Sequence, residues 1–293
     1  MSKHRPYAVK IELARGCTQR CAFCSLPNMA WADGPWQFMT ETLFQQLVDA
    51  FADWLPQGVR FEFEGRGEPS FHPKLREFIR YARQRYPRVQ MLLTTNGDMV
   101  NHKKERYREW LLDLFEQGLN IAMLDCYTIM RYADFCERFP EAVRFFEDRV
   151  HPYRYSGPKH TQIILMDAAP GRESVIRQYH NQGGTVDVER ACLEGFEIDS
   201  DVPVTKMCVR PFREFVVWSD GVLPICCNDW LPANVIGVFP QTSLQTYWEK
   251  GLNPARRLLL QKDRAALKPC DVCTERSGFR WALEKDWFGD VKN

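Results

Sequence analysis

Cys17, Cys21 and Cys24 stand in Ala-Arg-Gly-Cys-Thr-Gln-Arg-Cys-Ala-Phe-Cys, a CxxxCxxC cluster that follows the first apolar run of the chain, Val9 to Leu13. The spacing supplies three thiolates, not four. A tetrahedral zinc site closed by protein needs four ligands, and a cubane iron–sulfur cluster has four irons. Three cysteines therefore leave one metal corner open to a small molecule, unless a zinc ion borrows a fourth ligand such as His4.

Further segments carry chemistry. Glu64-Gly65-Arg66-Gly67-Glu68-Pro69 follows the second apolar run; glycines there let backbone approach a ligand, and Glu68 before a proline is held extended. Thr94-Thr95-Asn96-Gly97 ends the third run and Leu124-Asp125 the fourth. Downstream, Cys208, Cys226, Cys270 and Cys273 form a second set, Cys-x17-Cys and then Cys-x2-Cys, with four thiolates that suit a structural zinc or a saturated 4Fe-4S cluster. Cys227 beside Cys226 leaves the identity of that ligand open, with Cys226 the preferred reading. Cys126, Cys136 and Cys192 fall outside both patterns and read as ordinary buried thiols.

CxxxCxxC with Phe23 before its last cysteine resembles the signature of the radical S-adenosylmethionine (radical SAM) superfamily. There the amino and carboxylate groups of SAM chelate the open iron. Gly67-Glu68-Pro69, with Gly65 as a helper, is similar to the superfamily's Gly-Gly-Glu-Pro motif, although Arg66 replaces one of the paired glycines. Thr95-Asn96 and Asp125 are similar to its Thr-Asn-Gly turn and Leu-Asp segment. The resemblance implies SAM contacts at Gly65, Gly67, Glu68, Pro69, Thr95, Asn96 and Asp125, and a 4Fe-4S cluster on Cys17, Cys21 and Cys24.

The second set resembles the twitch or SPASM-type carboxy-terminal module of the same superfamily. The matching features are Cys208, a hairpin with Asp220-Gly221 at its turn, Pro224-x-Cys226-Cys227, Leu244-x-x-Tyr247-Trp248, and Cys270-x-x-Cys273. Its spacing looks most like that of the aminocyclitol dehydrogenases of butirosin biosynthesis. Implied are a second, auxiliary 4Fe-4S cluster on Cys208, Cys226, Cys270 and Cys273, and an external one-electron reductant of flavodoxin or ferredoxin type. The implied reaction is hydrogen-atom abstraction from a small-molecule or carrier-linked substrate by a 5′-deoxyadenosyl radical, followed by oxidation of the substrate radical through the auxiliary cluster. Asp167, Glu189 and Arg190, near predicted strand ends, are candidates for the proton acceptor. Two alternatives stand beside this reading: radical isomerisation, epimerisation or crosslinking of a peptide, nucleotide or nucleic-acid-linked substrate, and a non-enzymatic iron–sulfur or zinc protein.

These residues need a scaffold that brings loops together. The 293 residues allow one barrel-like domain and a smaller one. Apolar runs alternate with amphipathic helical patterns, the rhythm of βα units on a parallel sheet. Strands are expected at Val9–Leu13, Val59–Glu64, Val89–Thr94, Leu119–Leu124, Gln162–Met166 and Thr185–Val188, and helices at Glu41–Trp54, Pro73–Tyr86, Glu105–Glu116, Tyr132–Arg149 and Arg172–Gln182. Six strands are too few for an eight-unit barrel. The expected fold is α/β: a partial (β/α)6 TIM-type barrel over 1–195, followed over 196–293 by a small α+β auxiliary iron–sulfur module with a β-hairpin. In such barrels substrate sites lie at the carboxyl ends of the strands.

A hydrophobic fraction of 45%, with no stretch near the ~20 apolar residues of a membrane span and no signal-like amino terminus, predicts a soluble cytoplasmic protein without a membrane partner. Eleven cysteines at metal-like spacings favour thiolate ligation in a reducing compartment over disulfides. A net charge of +1 does not indicate nucleic acid, and the basic runs Arg80–Arg88 and Lys103–Arg108 read as solvated helix faces.

Overall fold

The computed structural model describes residues 5–55, 59–145, 148, 160–169, 179–199, 201, 207–232 and 235–275. Its main sheet has seven strands: β1 (Ala8–Ile11), β2 (Arg60–Phe63), β3 (Gln90–Thr95), β4 (Ile121–Cys126), β5 (Val143–Arg144), β6 (Gln162–Asp167) and β7 (Glu214–Val217). They lie in the order β5-β6-β4-β3-β2-β1-β7, and every pairing is parallel. Parallel neighbours require a crossover, and helices supply it: α1 (Glu41–Ala52), α2 (Leu75–Arg85), α3 (Tyr107–Glu116) and α4 (Ile129–Arg138). The architecture is a partial TIM-type barrel, as expected.

Local chemistry sets the helix starts. Thr40 Oγ1 accepts the amide of Leu43 at 3.2 Å with Glu41 in the first turn of α1, and Thr128 does the same for Arg131 at the head of α4. Phe44, Leu47, Val48 and Phe51 of α1 and Leu75, Phe78, Ile79 and Ala82 of α2 turn a fully buried face to the strands. Both faces of β1, β2 and β4 are covered, so these strands read as near-continuous buried runs.

Two sequence expectations change. Thr185–Val188 is not a strand: Gly183 and Gly184 take positive φ, and Asp187 caps the helix Val188–Leu193 by accepting the Arg190 amide at 3.0 Å. The helix expected over Tyr132–Arg149 ends at Arg138, and the chain returns as edge strand β5. Most of the helix expected at Arg172–Gln182 lies outside the described residues, as does His4; Tyr179, near its end, bridges Ile198 instead.

The strand beyond β1 is β7, from the cysteine-bearing half of the chain. Its Phe215 packs between α1 and the later helical turns, with ring centroids 5.1 Å from Phe51, 4.9 Å from Tyr247 and 5.8 Å from Trp248. The turn that follows has Gly221 at φ 83°, and Trp218 and Val222 close it with a 3.0 Å bond. The loop is therefore Ser219–Asp220–Gly221, and the strands around it do not form the hairpin expected at Asp220-Gly221, because Glu214–Val217 lies along β1 instead. Val222–Leu223 then pairs with Gly237–Val238. No helix among the described residues is long and apolar enough to cross a membrane.

Candidate active site

The loops after β1 through β4 meet around a cavity of about 330 Å³ at the carboxyl end of the sheet. Cys17, Cys21 and Cys24 line it, and so do Gly65, Gly67, Glu68, Thr95, Asn96 and Asp125. Pro69 heads the buried turn immediately behind.

The cysteine loop is held by specific bonds. Cys17 Sγ accepts from the Gln19 amide and from Asn96 Nδ2, both at 3.4 Å, and Cys24 Sγ accepts from the Leu26 amide at 3.4 Å. Asp98 takes Thr18 Oγ1 at 2.6 Å and Gln19 Nε2 at 3.0 Å, tying the loop to the end of β3. Phe23 stacks among Tyr127, Tyr179 and Phe196 with centroids 4.6–4.9 Å away, which fixes the last cysteine. Burial raises all three thiols, Cys24 to about 12, and the other two sulfurs push Cys21 further. Three thiolates crowded there need a metal's charge to neutralise them. No three His, Cys, Asp or Glu side chains among the described residues are arranged to hold a single metal ion; a cubane, with one iron per cysteine, asks for a wider ring.

Glu68 does not present a free carboxylate to the cavity. Oε1 accepts from the Ser70 amide (3.0 Å), Ser70 Oγ (2.5 Å) and Thr95 Oγ1 (2.6 Å), and Oε2 from the Asn96 amide (2.8 Å). Burial still lifts its pKa above the usual carboxylate value. The carboxylate clasps the ends of β2 and β3 together, leaving the backbone around Gly67 as the surface beside the cysteines. Gly67 bridges Gly16, and a Cβ there would lie 2.4 Å from the carbonyl oxygens of Ala14 and Gly16, so no other residue fits.

Arg66, the departure from paired glycines, has a structural task. Its Nε and Nη2 form a bidentate pair with Glu12 at 2.8 and 2.9 Å, its guanidinium lies 4.4 Å over Trp218, and Nη1 reaches the Trp230 carbonyl at 3.3 Å. Glu12, 0% exposed, also accepts the Ser219 amide and hydroxyl at 3.0 and 2.8 Å. This knot locks β1, the loop after β2 and the turn after β7 to one another.

The opposite wall was not anticipated. Lys10, Glu64, Tyr127, His180, Arg210 and Cys227 line it. Lys10 Nζ lies 3.2 Å from Glu62, 3.8 Å from Glu214 and closer still to Glu64. Period two in the sequence could have found Lys10 and Glu64 alone: Lys10 pairs in register with Glu62, and Glu64 follows on the same face, charges that a buried parallel strand carries only for a reason. Arg210 gives Nε to Glu275 (2.9 Å) and Nη1 to Glu214 (3.2 Å) and to Cys227 Sγ (3.2 Å). Trp230 stacks on Trp31, and Trp218 is buried under Arg66.

The wall separates the cavity from the second cysteine set. Cys208, Cys226, Cys270 and Cys273 are 6–8% exposed. Cys208, Cys226 and Cys270 share an apolar cluster with Phe212, Ile225 and Leu259. Burial raises the Cys226 thiol far above its ordinary value, and the neighbouring sulfurs of Cys227, Cys270, Cys208 and Cys273 add to it. Cys227 turns away from that set and toward the cavity. All eleven cysteines are unpaired; of the other three, Cys126 is buried, Cys136 half-buried and Cys192 exposed, so Cys192 is not the buried thiol expected.

The three residues expected as proton acceptors do not reach the cavity. Asp167 is buried and accepts the Ala169 amide at 3.3 Å. Glu189 is exposed in the first turn of a helix. Arg190 pairs with Glu194 at 3.1 Å and binds the Arg20 carbonyl. Asp125, expected as a SAM contact, does line the cavity. Its Oδ2 accepts the Tyr127 hydroxyl at 3.1 Å, and Oδ1 is enclosed without a donor among the described residues. Burial, reinforced by Glu64 and Glu68, pushes its pKa up to about 7.

The radical SAM superfamily model matches residues 11–140. Among solved structures, the chain is similar to BtrN in complex with AdoMet and 2-DOIA, at 19% identity and a TM-score of 0.65 over 94% of this chain and 95% of that one. BtrN in an open conformation gives 15% and 0.59 over 94% of each chain, and anSMEcpe with bound AdoMet gives 14% and 0.52 over 92% and 85%. At these identities the likeness is one of fold. None of the curated proteins compared matches the sequence. The loops that gather Cys17, Cys21 and Cys24 thus lie within the stretch that the radical SAM superfamily model matches.

Proposed function

We propose that this protein uses SAM and two 4Fe-4S clusters to take a hydrogen atom from its substrate and then an electron, as a dehydrogenase. The observation that carries the reading is a division of thiols by one wall. Three cysteines from a single loop face a cavity with the SAM-type motifs, and four buried cysteines gather behind Arg210 and Cys227. Cys17, Cys21 and Cys24 would hold the first cluster with a corner left for SAM, and Cys208, Cys226, Cys270 and Cys273 would saturate the second. When bound, the first cluster and SAM supply a 5′-deoxyadenosyl radical, and the second cluster supplies an electron acceptor.

The chain's own residues do the rest. The backbone at Gly65 and Gly67, backed by Pro69 and braced by Glu68, Thr95 and Asn96, orients SAM beside the cysteine loop. Phe23 and Trp230 exclude water at the cavity edge. Oxidation of a carbon radical that bears a hydroxyl releases a proton, and Asp125 takes it. It stands at the end of β4 with an Oδ1 that has no donor among the described residues and a pKa near operating pH, the condition for an effective base. The domain division at 195/196 and a reducing, cytoplasmic setting with a small one-electron carrier as reductant complete the proposal.

The test is anaerobic reconstitution with iron and sulfide, then dithionite and SAM. About eight irons per chain and release of 5′-deoxyadenosine are expected. About four irons with cleavage would remove the second cluster and the oxidation with it; no 5′-deoxyadenosine would overturn the whole reading.

A further inference from the structure

The shell around Cys208, Cys226, Cys270 and Cys273 carries charges that packing alone does not call for. Phe212, Ile225, Leu259 and Leu267 line it with carbon, yet two arginines stand at its edge. Arg264 is 1% exposed. It donates Nη1 to the Cys273 carbonyl at 3.2 Å and Nη2 to the Glu275 carbonyl at 2.9 Å, so its guanidinium lies against the backbone that carries the last cysteine. Arg210, half-buried, approaches from the cavity side. Its amide donates to Cys208 Sγ, and its guanidinium binds Cys227 Sγ, next in sequence to Cys226, together with Glu214 and Glu275. Burial raises the Cys208 and Cys270 thiols, and the cations pull the other way: Arg210 and Arg264 at Cys208, Arg264 at Cys270. Asp229, buried nearby, opposes them at Cys270.

A cubane core does not cancel the charge of four thiolates. The oxidised cluster of the reading proposed above is a dianion, and the electron that leaves the substrate radical adds a third negative charge inside an enclosure lined with carbon. Burying charge without compensation is costly, so the apolar shell taken alone lowers the reduction potential and makes the site a reluctant acceptor. A cation beside the sulfurs counters this, because its attraction grows with the charge on the cluster and is weakly screened there. Arginine keeps its charge at any working pH. An amide donated to a cluster sulfur acts in the same direction.

Resting on the two-cluster reading, we infer that the guanidinium charges of Arg264 and Arg210 hold the second cluster at a reduction potential at which it accepts the substrate radical's electron. Arg264 acts from the Cys273 side and Arg210 from the side of Cys208 and Cys226. Both act through the cluster, so they are positioning residues for electron transfer. Removal of Arg210 also leaves Glu214 and Glu275 without its counter-charge, which lowers the potential in the same sense.

The test is a potentiometric titration followed by electron paramagnetic resonance, on reconstituted protein that also carries Cys17→Ala so that the second cluster is read alone. Arg264→Gln and Arg210→Gln are each expected to weaken one-electron reduction about tenfold or more, a midpoint lower by about 59 mV or more, with about four irons per chain retained. Arg264→Lys keeps the charge and should stay within about threefold of the parent. Bracing of carbonyls alone would change iron content or unfolding and leave the midpoint where it was. If Arg264→Gln loses its iron, Arg210→Gln decides. A glutamine variant that keeps its iron with a midpoint within threefold of the parent, or an Arg264→Lys midpoint that falls as far as that of Arg264→Gln, overturns the inference. A Cys17→Ala protein that takes up no iron overturns the two-cluster reading itself, which an iron-loaded protein indifferent to both arginines would leave standing.

Discussion

The two cysteine sets are built on opposite plans. Cys17, Cys21 and Cys24 come from one loop, remain half-buried, and share their surroundings with polar groups and a cavity. Cys208, Cys226 and the Cys270–Cys273 pair come from three separate segments and are buried, and Cys208, Cys226 and Cys270 are packed by aliphatic and aromatic side chains. A site with an open coordination corner must admit a small molecule, and a loop at the end of a sheet gives it access. A saturated site gains nothing from access and is safer in an apolar shell, where water and stray reductants are excluded. Arg210, two residues from Cys208 and in contact with Cys227, marks the boundary between the two.

The largest expected effect lies at the open site. Alanine at Cys17, Cys21 or Cys24 should reduce SAM cleavage to background while the second set keeps its iron, read as 5′-deoxyadenosine and iron per chain. A variant that still cleaves SAM would remove that cysteine from the ligand set.

Next comes Asp125→Asn, expected to cut product formation by about 10²- to 10⁴-fold with SAM binding retained. In the wild type, activity should rise with pH through about 7 as the carboxyl ionises, and the variant should lose that limb. The same raised pKa makes Asp125 bind its proton more tightly folded than unfolded, so its contribution to stability falls as pH rises from about 4 to about 7. An unchanged pH profile in the variant would return Asp125 to a purely SAM-contacting role.

The neighbouring pair sharpens the comparison further. Cys226→Ser should lose about half of the iron, and Cys227→Ser should lose none, because only the first side chain joins the other three of its set. Equal losses would mean that the wall does not separate the two sites as described.

Smallest in catalytic terms is the knot between the halves. Glu12→Gln removes the charge that matches buried Arg66 and should cost about 3–5 kcal/mol of stability in denaturant unfolding, with little change in iron content of the surviving folded protein.

What could be read in the sequence follows from distance along the chain. The cysteine loop, Gly67-Glu68-Pro69 and Thr95-Asn96 are local patterns, and each lies where the βα rhythm placed it. Arg66 looked like a defect in a glycine motif because its partner, Glu12, is distant in sequence, and only the folded chain shows the pairing. The second wall shows the same limit: Lys10, His180, Arg210 and Cys227 come from four separate segments, and no spacing announces that they meet. Asp167 and Glu189 lie off the cavity for two other reasons: Asp167 ends β6 with its carboxylate on the Ala169 amide, and the strand that Glu189 was to follow is replaced by a helix. Thr185–Val188 was apolar enough for a strand, but two glycines with positive φ and an Asp187 cap decided for a turn and a helix.

The central claim is that one cluster site is open to SAM and the other is closed. Electron paramagnetic resonance of the dithionite-reduced, reconstituted protein, recorded with and without SAM, tests it most directly. The account predicts two overlapping 4Fe-4S signals, of which SAM shifts one and leaves the other unmoved, with the unmoved signal alone remaining in Cys17→Ala. A single signal, or two signals that both shift on adding SAM, would contradict it.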